Sequence, residues 1–251
     1  MNADARKGPY PFSDAQTCSA PAARSDRMRD IVLAHAPRDR RITLLDVGCG
    51  TGSLLFRLAD ALPAAELTGL DVSTANIKAA EAQRAGHPAA ARLRFEVADY
   101  LEYVAPAPFD AIVTDGVLHL IPGETRSLLR KLAHDVAPGG VLVCGMPYEC
   151  AYNRAFSVVR RGLRAVRSPW LDQAILMIGR LLHGSEMTDA GLRERIPYMY
   201  IPPTRMMNPA FAASAASTAL ALVARYQMPS ASLSQLRHCV IVFERARGAT
   251  L

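Results

Sequence analysis

Leu44-Leu45-Asp46-Val47-Gly48-Cys49-Gly50-Thr51-Gly52 is the stretch on which the reading of this chain turns. Apolar residues run straight into three glycines, and a helix-like segment begins at Ser53. That is the sequence form of a buried parallel strand, a tight turn and a helix N-terminus. The glycines remove side chains where the backbone turns sharply and where a ligand must lie against it. The helix start adds free N–H groups and positive dipole potential. The stretch reads as a ligand cradle, and the rest of the chain decides which ligand.

Outward from it, strand and helix patterns alternate. Arg24 to His35 carries Met28, Ile31, Val32 and Leu33 and reads as a helix leading toward the first strand. Ile42–Val47, Glu66–Asp71, Leu93–Ala98, Phe109–Thr114 and Val141–Met146 read as strands. Ser53–Leu62, Thr74–Ala85 and Glu124–Val136 read as helices between them, and Pro138-Gly139-Gly140 as the turn before the fifth strand. This alternation predicts an α/β fold, a parallel sheet with right-handed crossovers. Ligands in such sheets sit at the carboxyl ends of the strands.

Tyr148 to His183 breaks the rhythm. Phe156, Val159, Leu163 and Val166 share one helical face, with Arg160, Arg161, Arg164 and Arg167 elsewhere, and Pro169 opens a second helix. This predicts a helical hairpin inserted after the fifth strand. Thr188 can cap a short helix ending near Pro197, and Tyr198 to Pro203 reads as a loop. An Ala/Ser-rich helix follows from Asn208 or Pro209, then two final strands, Ala219–Tyr226 and His238–Glu244. The expected organisation is an N-terminal arm and helix (1–40), a ligand-binding core (41–147), a helical insertion (148–207), and a C-terminal helix with two strands that complete the core (208–251).

Composition bounds the function. With 251 residues and half of them hydrophobic, the chain can build one large α/β core with room for an insertion. The formal net charge of +6 is spread along an Arg-rich chain, with no aromatic-and-basic recognition motif, so nucleic-acid binding is not expected. Five cysteines, Cys18, Cys49, Cys144, Cys150 and Cys239, include no Cys-x-x-Cys pair, which suggests neither a disulfide framework nor a zinc site. The first 23 residues hold no apolar signal core, and no uncharged run reaches the roughly 18 residues of a membrane span. A cytoplasmic protein without stable membrane insertion is the expectation. Tyr10 and Phe12 stand out in the polar arm, where they either pin it to the body or cover a pocket.

Four features fall at four successive strand ends. The first is the Gly48-x-Gly50-x-Gly52 loop. The second is Asp71, able to accept both hydroxyls of a ribose. The third is Asp99 followed by Tyr100: a carboxylate that can accept from an exocyclic amine and an aromatic that can stack on a base. The fourth is Asp115-Gly116-Val117-Leu118-His119, beside the mouth of the cradle. Singly, each has an equally good structural reading as a tight turn or a helix cap. Their order at the spacing of a doubly wound sheet makes the signal.

With these residues in place the chain resembles the class I S-adenosylmethionine-dependent methyltransferases. Leu44–Gly52 is similar to that family's first motif, Thr68–Ser73 to its second and Phe95–Tyr100 to its third. Phe109–Pro122 is similar to the fourth, and Leu128–Gly140 to the helix and turn before strand five. The resemblance covers about Ile42 to Met146. It implies a doubly wound, Rossmann-like, seven-stranded sheet with the last strand antiparallel, here with an inserted helical lid. It also implies S-adenosylmethionine as cofactor. The backbone of Gly48, Cys49, Gly50 and Gly52 would hold its methionine part, with Asp46 supporting the loop. Asp71 would bind the ribose and Val72 pack on the adenine. Asp99 would face the adenine amino group with Tyr100 beside it, and Asp115 and Gly116 would lie near the methionine amine and the sulfonium. The competing nicotinamide fingerprint needs Gly or Ala at position 53, where Ser53 stands, and gives Asp99-Tyr100 no task.

A sulfonium methyl is already activated, so alignment and desolvation supply most of the rate. A base is required only for a protonated acceptor, and His119 is the candidate, with a purely structural or substrate-orienting histidine as the other reading. Tyr148, Tyr152, Arg154, Tyr198 and Tyr200, with Tyr10, Phe12 and His119, could line the acceptor pocket under the hairpin. The hairpin could equally be a homodimer contact or touch a membrane surface. The expected activity is methyl transfer to O or N of a small-molecule acceptor of the secondary-metabolite kind. A carboxylate or carbon acceptor, or a non-catalytic cofactor-binding regulator, are the alternatives.

Overall fold

Leu44 and Leu45 are neighbours in sequence and belong to the two opposite faces of one sheet. Leu44 joins Val113, Val143, Val240 and Val242 in a core layer closed by Met28, Ile31, Leu55 and Leu58. Leu45 joins Ile112, Leu142, Ile241 and Phe243 in a second layer closed by Leu129, Leu132, Phe211 and Ala215. The period-two alternation of four strands thus builds a three-layer sandwich, apolar on both sheet faces.

In the computed structural model, residues 17, 20–37, 40–183, 188–228 and 235–248 are described. Tyr10, Phe12 and Cys18 lie outside the described residues. The elements are α1 (Ala22–His35), β1 (Thr43–Val47), α2 (Ser53–Ala61), β2 (Glu66–Asp71), α3 (Thr74–Arg84), β3 (Leu93–Val97), β4 (Phe109–Asp115), α4 (Thr125–Asp135) and β5 (Val136–Pro147). Then come α5 (Ala151–Ala165), α6 (Pro169–His183), α7 (Asp189–Arg195), α8 (Pro209–Ala216), β6 (Leu220–Gln227) and β7 (His238–Arg245). The seven strands lie in the order β3-β2-β1-β4-β5-β7-β6. β1 to β5 pair in parallel, and β7 runs antiparallel between β5 and β6. The doubly wound sheet with an antiparallel last strand is therefore as expected.

Local chemistry sets the boundaries. Ser73, Thr188 and Asn208 cap α3, α7 and α8, accepting from the amides of Asn76, Gly191 and Phe211. Two expectations are corrected. Pro138-Gly139-Gly140 does not precede the fifth strand but lies inside it, as an irregularity in the register with β4 between Phe109↔Val136 and Ala111↔Val141. Tyr198 to Tyr200 close a 3₁₀ turn, Ile196–Tyr200, before the chain opens into a loop.

The insertion forms the expected helical hairpin, but α5 buries the polar face beside the apolar stripe. Its buried residues are Asn153, Ser157 and Arg160, while Val159 and Val166 of the apolar stripe are exposed. The reason is hydrogen bonding. Asn153 Nδ2 donates to the carbonyls of Tyr148 (2.6 Å) and Arg237 (2.8 Å), and its Oδ1 accepts from Arg237 N at 2.8 Å. Ser157 Oγ donates to Asn153 O at 2.6 Å. Buried carbonyls need partners, and this polar stripe supplies them. Among the described residues no helix is long and apolar enough to cross a membrane, no group of side chains fits a metal ion, and Cys49, Cys144, Cys150 and Cys239 are free thiols.

Candidate active site

A cavity of about 1150 Å³ opens at the carboxyl ends of β1, β2 and β4, under α1 and the α5–α7 insertion. The glycine turn forms one wall. The amides of Gly48 and Cys49 both donate to Leu70 O, at 2.7 and 2.9 Å, which ties the turn to the end of β2. Gly50 N donates to Asp71 Oδ2 at 2.9 Å. Gly48 has φ +76°, and a Cβ there would fall on the Val117 side chain, so only glycine fits. Gly52 is different. It does not line the cavity, and its Cβ would meet the Phe95 and Phe56 rings at 2.8 and 2.9 Å. Gly52 lets α2 pack against β3 and does not present backbone to a ligand.

Asp46, Asp71 and Asp115 converge on the floor. Burial, then Asp115 and Asp71, push the Asp46 carboxyl well above the ordinary range. Asp71 Oδ1 accepts from Ser73 N (2.8 Å) and Asn76 Nδ2 (3.2 Å), which fills it, while Oδ2, with Gly50 N as partner, keeps acceptor capacity toward the cavity. Arg24 of α1 forks onto Asp115, with Nε donating to Oδ2 at 2.7 Å and Nη2 to Oδ1 at 2.6 Å. Gly145 on β5 makes this possible, because any Cβ there would fall on the Asp115 carboxylate. Gly116, with φ +73°, donates its N–H to Gly145 O at 2.7 Å.

Of the expected cofactor residues, Asp46, Gly48, Cys49, Gly50, Asp71, Val72, Tyr100, Asp115 and Gly116 line the cavity. Asp99 does not, and its carboxylate accepts from Leu101 N at 2.9 Å in the turn after β3. Tyr100 lends only part of its ring to the wall. Its hydroxyl points away and donates to the buried Asp135 of α4 at 2.9 Å, with Lys131 Nζ 4.6 Å from the ring centroid.

His119 also lines the cavity, 5% exposed. Its loop is clamped from outside. Thr204 donates to His119 O from N (2.8 Å) and Oγ1 (2.9 Å), and Arg205 donates to the carbonyls of Leu118, Ile121 and Gly123 at 2.6 to 2.9 Å. The ring packs edge-on against His238 with centroids 5.6 Å apart. Burial, then His238, Arg160, Arg24 and Arg205, hold His119 well below the usual histidine range. The imidazole is neutral at pH 7 and has little affinity for a proton.

Tyr198 also lines the cavity, but four expected acceptor residues do not. Tyr200 is buried in the insertion's own small core with Leu176, Leu192 and Ile196, its hydroxyl donating to Asp172 at 2.5 Å. Tyr152 stacks on Phe156 with Arg237 4.9 Å from its ring, and Arg225 lies 5.4 Å from the Tyr148 ring. Arg154 pairs with Glu149 at the surface, at 2.6 Å. Sequence reasoning gave Arg24 and Asn76 no site role, read the hairpin arginines, Arg160 among them, as a solvated basic face ahead of an anion site, and held His238, in a strand, a weaker base candidate than His119. Only the long-range pairings on which they depend bring them to the cavity.

Comparison with known proteins agrees with this architecture. Residues 45–142 match the family model described as "Methyltransferase domain". A trans-aconitate 2-methyltransferase of an Azoarcus species is 32% identical over 159 residues, covering 63% of this chain and 58% of that protein. The enzyme of the same name from Methylobacterium radiotolerans is 32% identical over 165 residues, covering 63% and 59%. The chain thus spans less than two thirds of the length of these relatives. Among solved structures, an N-methyltransferase of Bradyrhizobium japonicum with bound S-adenosyl-L-homocysteine superposes with TM-score 0.56 at 19% identity, covering 96% of this chain and 93% of that one. A magnesium protoporphyrin IX methyltransferase of Synechocystis superposes with TM-score 0.59 at 15% identity, covering 90% and 83%. The glycine cradle, the acids at successive strand ends, the strand order and these matches agree: residues 45–142 are a class I S-adenosylmethionine-dependent methyltransferase domain.

Proposed function

We propose that this protein transfers the methyl group of S-adenosylmethionine to an oxygen of a small-molecule acceptor, and that this oxygen belongs to a carboxylate. The observation that carries the reading is that one cavity is lined both by an acid-floored glycine cradle and by a buried arginine, Arg160.

The cradle suits the cofactor. Asp115 and Asp71 add to burial in raising the proton affinity of Asp46, and carboxylates gathered around one pocket favour a cationic ligand; a sulfonium with an adjacent ammonium is one. Asp71 offers oxygen to a ribose, Val72 and Ala98 offer apolar surface to an adenine, and Gly48 and Gly50 leave the backbone bare. When bound, the cofactor supplies a methyl carbon on a positively charged sulfur; the acceptor oxygen bonds to that carbon as the carbon–sulfur bond breaks and its electron pair stays on sulfur. The protein's task is to hold the acceptor in line and keep water out.

His119 fits a carboxylate acceptor better than an alcohol or an ammonium. Its depressed proton affinity makes it a weak base, and an ionised carboxylate has no proton to remove. It then serves to orient the acceptor. The name of the relatives points the same way, since aconitate is a carboxylic acid.

Titration calorimetry with S-adenosylhomocysteine, followed by transfer of labelled methyl groups to a metabolite extract, tests the proposal. Binding is expected for the parent, and Asp71→Ala should weaken it about tenfold to a hundredfold, the worth of a charge-assisted hydrogen bond or two. The labelled product should release its methyl group on mild alkaline hydrolysis, as an ester does. A label that survives alkali means an ether or amine acceptor, and binding without transfer means a regulator that kept the fold.

A further inference from the structure

The cavity has a polar side at the cradle and an apolar side under the insertion. The apolar side is walled by Leu163, Leu171, Ile175, Leu176, Leu192 and Ile196. Two polar side chains that line the cavity each have a buried hydrogen-bonding atom that finds no partner among the described residues: Arg160 Nε and His119 Nδ1. Both residues line the cavity, at 7% and 5% exposure. Arg160 donates from Nη1 to Ile201 O at 3.1 Å and lies 5.0 Å from the Phe156 ring centroid. No carboxylate pairs with it among the described residues. A buried guanidinium without a counter-ion is costly, and this one faces a space large enough to admit an anion.

The cavity's other arginines are placed differently. Arg24 is forked on Asp115, Arg27 lies over the Tyr226 ring, and Arg195 is partly exposed. The cavity's buried cation is therefore single, and apart from Ile201 O and His119 the insertion offers it mainly hydrocarbon. Ile178 and Leu182 also line the cavity and are each 57% exposed, so the apolar wall runs out to solvent along α6. A cavity of about 1150 Å³ exceeds the roughly 300–1,000 Å³ of a site for one drug-sized ligand, leaving room for a sizeable acceptor beside the cofactor.

We infer that the acceptor is an amphiphile, a single carboxylate on a long apolar chain, with its head at Arg160 and His119 and its chain along the wall of α6 and α7. The inference rests on the methyl-transfer reading above and adds the class of acceptor to it. A small polyacid would leave its further charges against leucine and isoleucine. A long-chain carboxylate matches one cation with one anion and covers the apolar wall.

The test uses protein saturated with S-adenosylhomocysteine and titrated with butanoate, octanoate and dodecanoate below micelle concentrations. Methyl dodecanoate serves as the uncharged analogue and trans-aconitate as the polyacid. Affinity should rise about threefold to fourfold for each methylene that enters the wall. Arg160→Met should weaken dodecanoate about tenfold to a hundredfold and leave methyl dodecanoate within threefold, while Arg160→Lys keeps most of the dodecanoate affinity. A variant that only loosened the fold would weaken both ligands alike, which overturns the assignment of the head. Dodecanoate binding no tighter than butanoate, or weaker than trans-aconitate, overturns the chain. Failure of the parent to take up S-adenosylhomocysteine refutes the methyltransferase reading instead, so the two are told apart.

Discussion

His238 shows how one side chain can couple site and stability. It lines the cavity beside His119, and its Nδ1–H donates to Leu236 O at 2.7 Å. Burial, then Arg24, pushes its pKa down to about 4. In the unfolded chain a histidine titrates near pH 6.5. The folded state therefore binds fewer protons between these values, and the contribution is complete above about pH 6.5 and is lost as pH falls toward 4. Between pH 7 and pH 5 the parent should lose about 2 kcal/mol more than His238→Gln. Urea unfolding of both proteins at the two pH values measures it, and equal losses would show that the ring is protonated at no cost. The same scale shows what single residues reveal in sequence. Gly48, Gly50, Asp71 and Asp115 were expected at the cavity and line it, because a glycine turn and an acid at a strand end are local signals. Gly52 and Tyr100 were read as ligand contacts because their types fit. Packing against Phe95 and bonding to Asp135 are tertiary facts that no local pattern carries.

The elements were legible wherever periodicity reflects burial. α4, with Leu128, Leu129 and Leu132 on its inner face, lies where its spacing predicts, and each of these residues contributes about 1.5–3 kcal/mol on burial. α5 was legible as a helix but not in its orientation. Val159 and Val166 of its apolar stripe face out and only Leu163 reaches the cavity, because the carbonyls that need donors belong to Tyr148, Arg237 and Ile201, two of them distant in the chain. The same inversion concealed Arg160. Asn153 is the anchor of the insertion, and Asn153→Ala takes the partner from Tyr148 O and Arg237 N, while Arg237 O keeps the amide of Tyr148. The variant should lose about 2–4 kcal/mol of stability. In hydrogen exchange, the amides of α5 should lose protection while those of α2 and α4 keep theirs. Uniform loss across all three helices would mean that the insertion and the core open as one unit.

At the scale of the molecule the sheet holds everything else in register. β7 is buried along most of its length and pairs with β5 on one side and β6 on the other. A chain cut before His238 loses both pairings, and β6 with them. It should show no cooperative thermal transition and no binding of S-adenosylhomocysteine, by calorimetry and titration. A sharp transition in that fragment would mean that β1 to β5 stand alone. The alternation of strands and helices made this sheet legible. The cavity above it was not, since its walls come from α1, from three strand ends and from an insertion whose pairings cross most of the sequence. The position of β7 also has a consequence for how the protein is made. The ribosome delivers β5 and β6 first, and the strand that must lie between them comes last. Until it emerges, two sticky strand edges wait unjoined, and the nascent chain is most exposed to misassociation just before its synthesis reaches the end of the sheet.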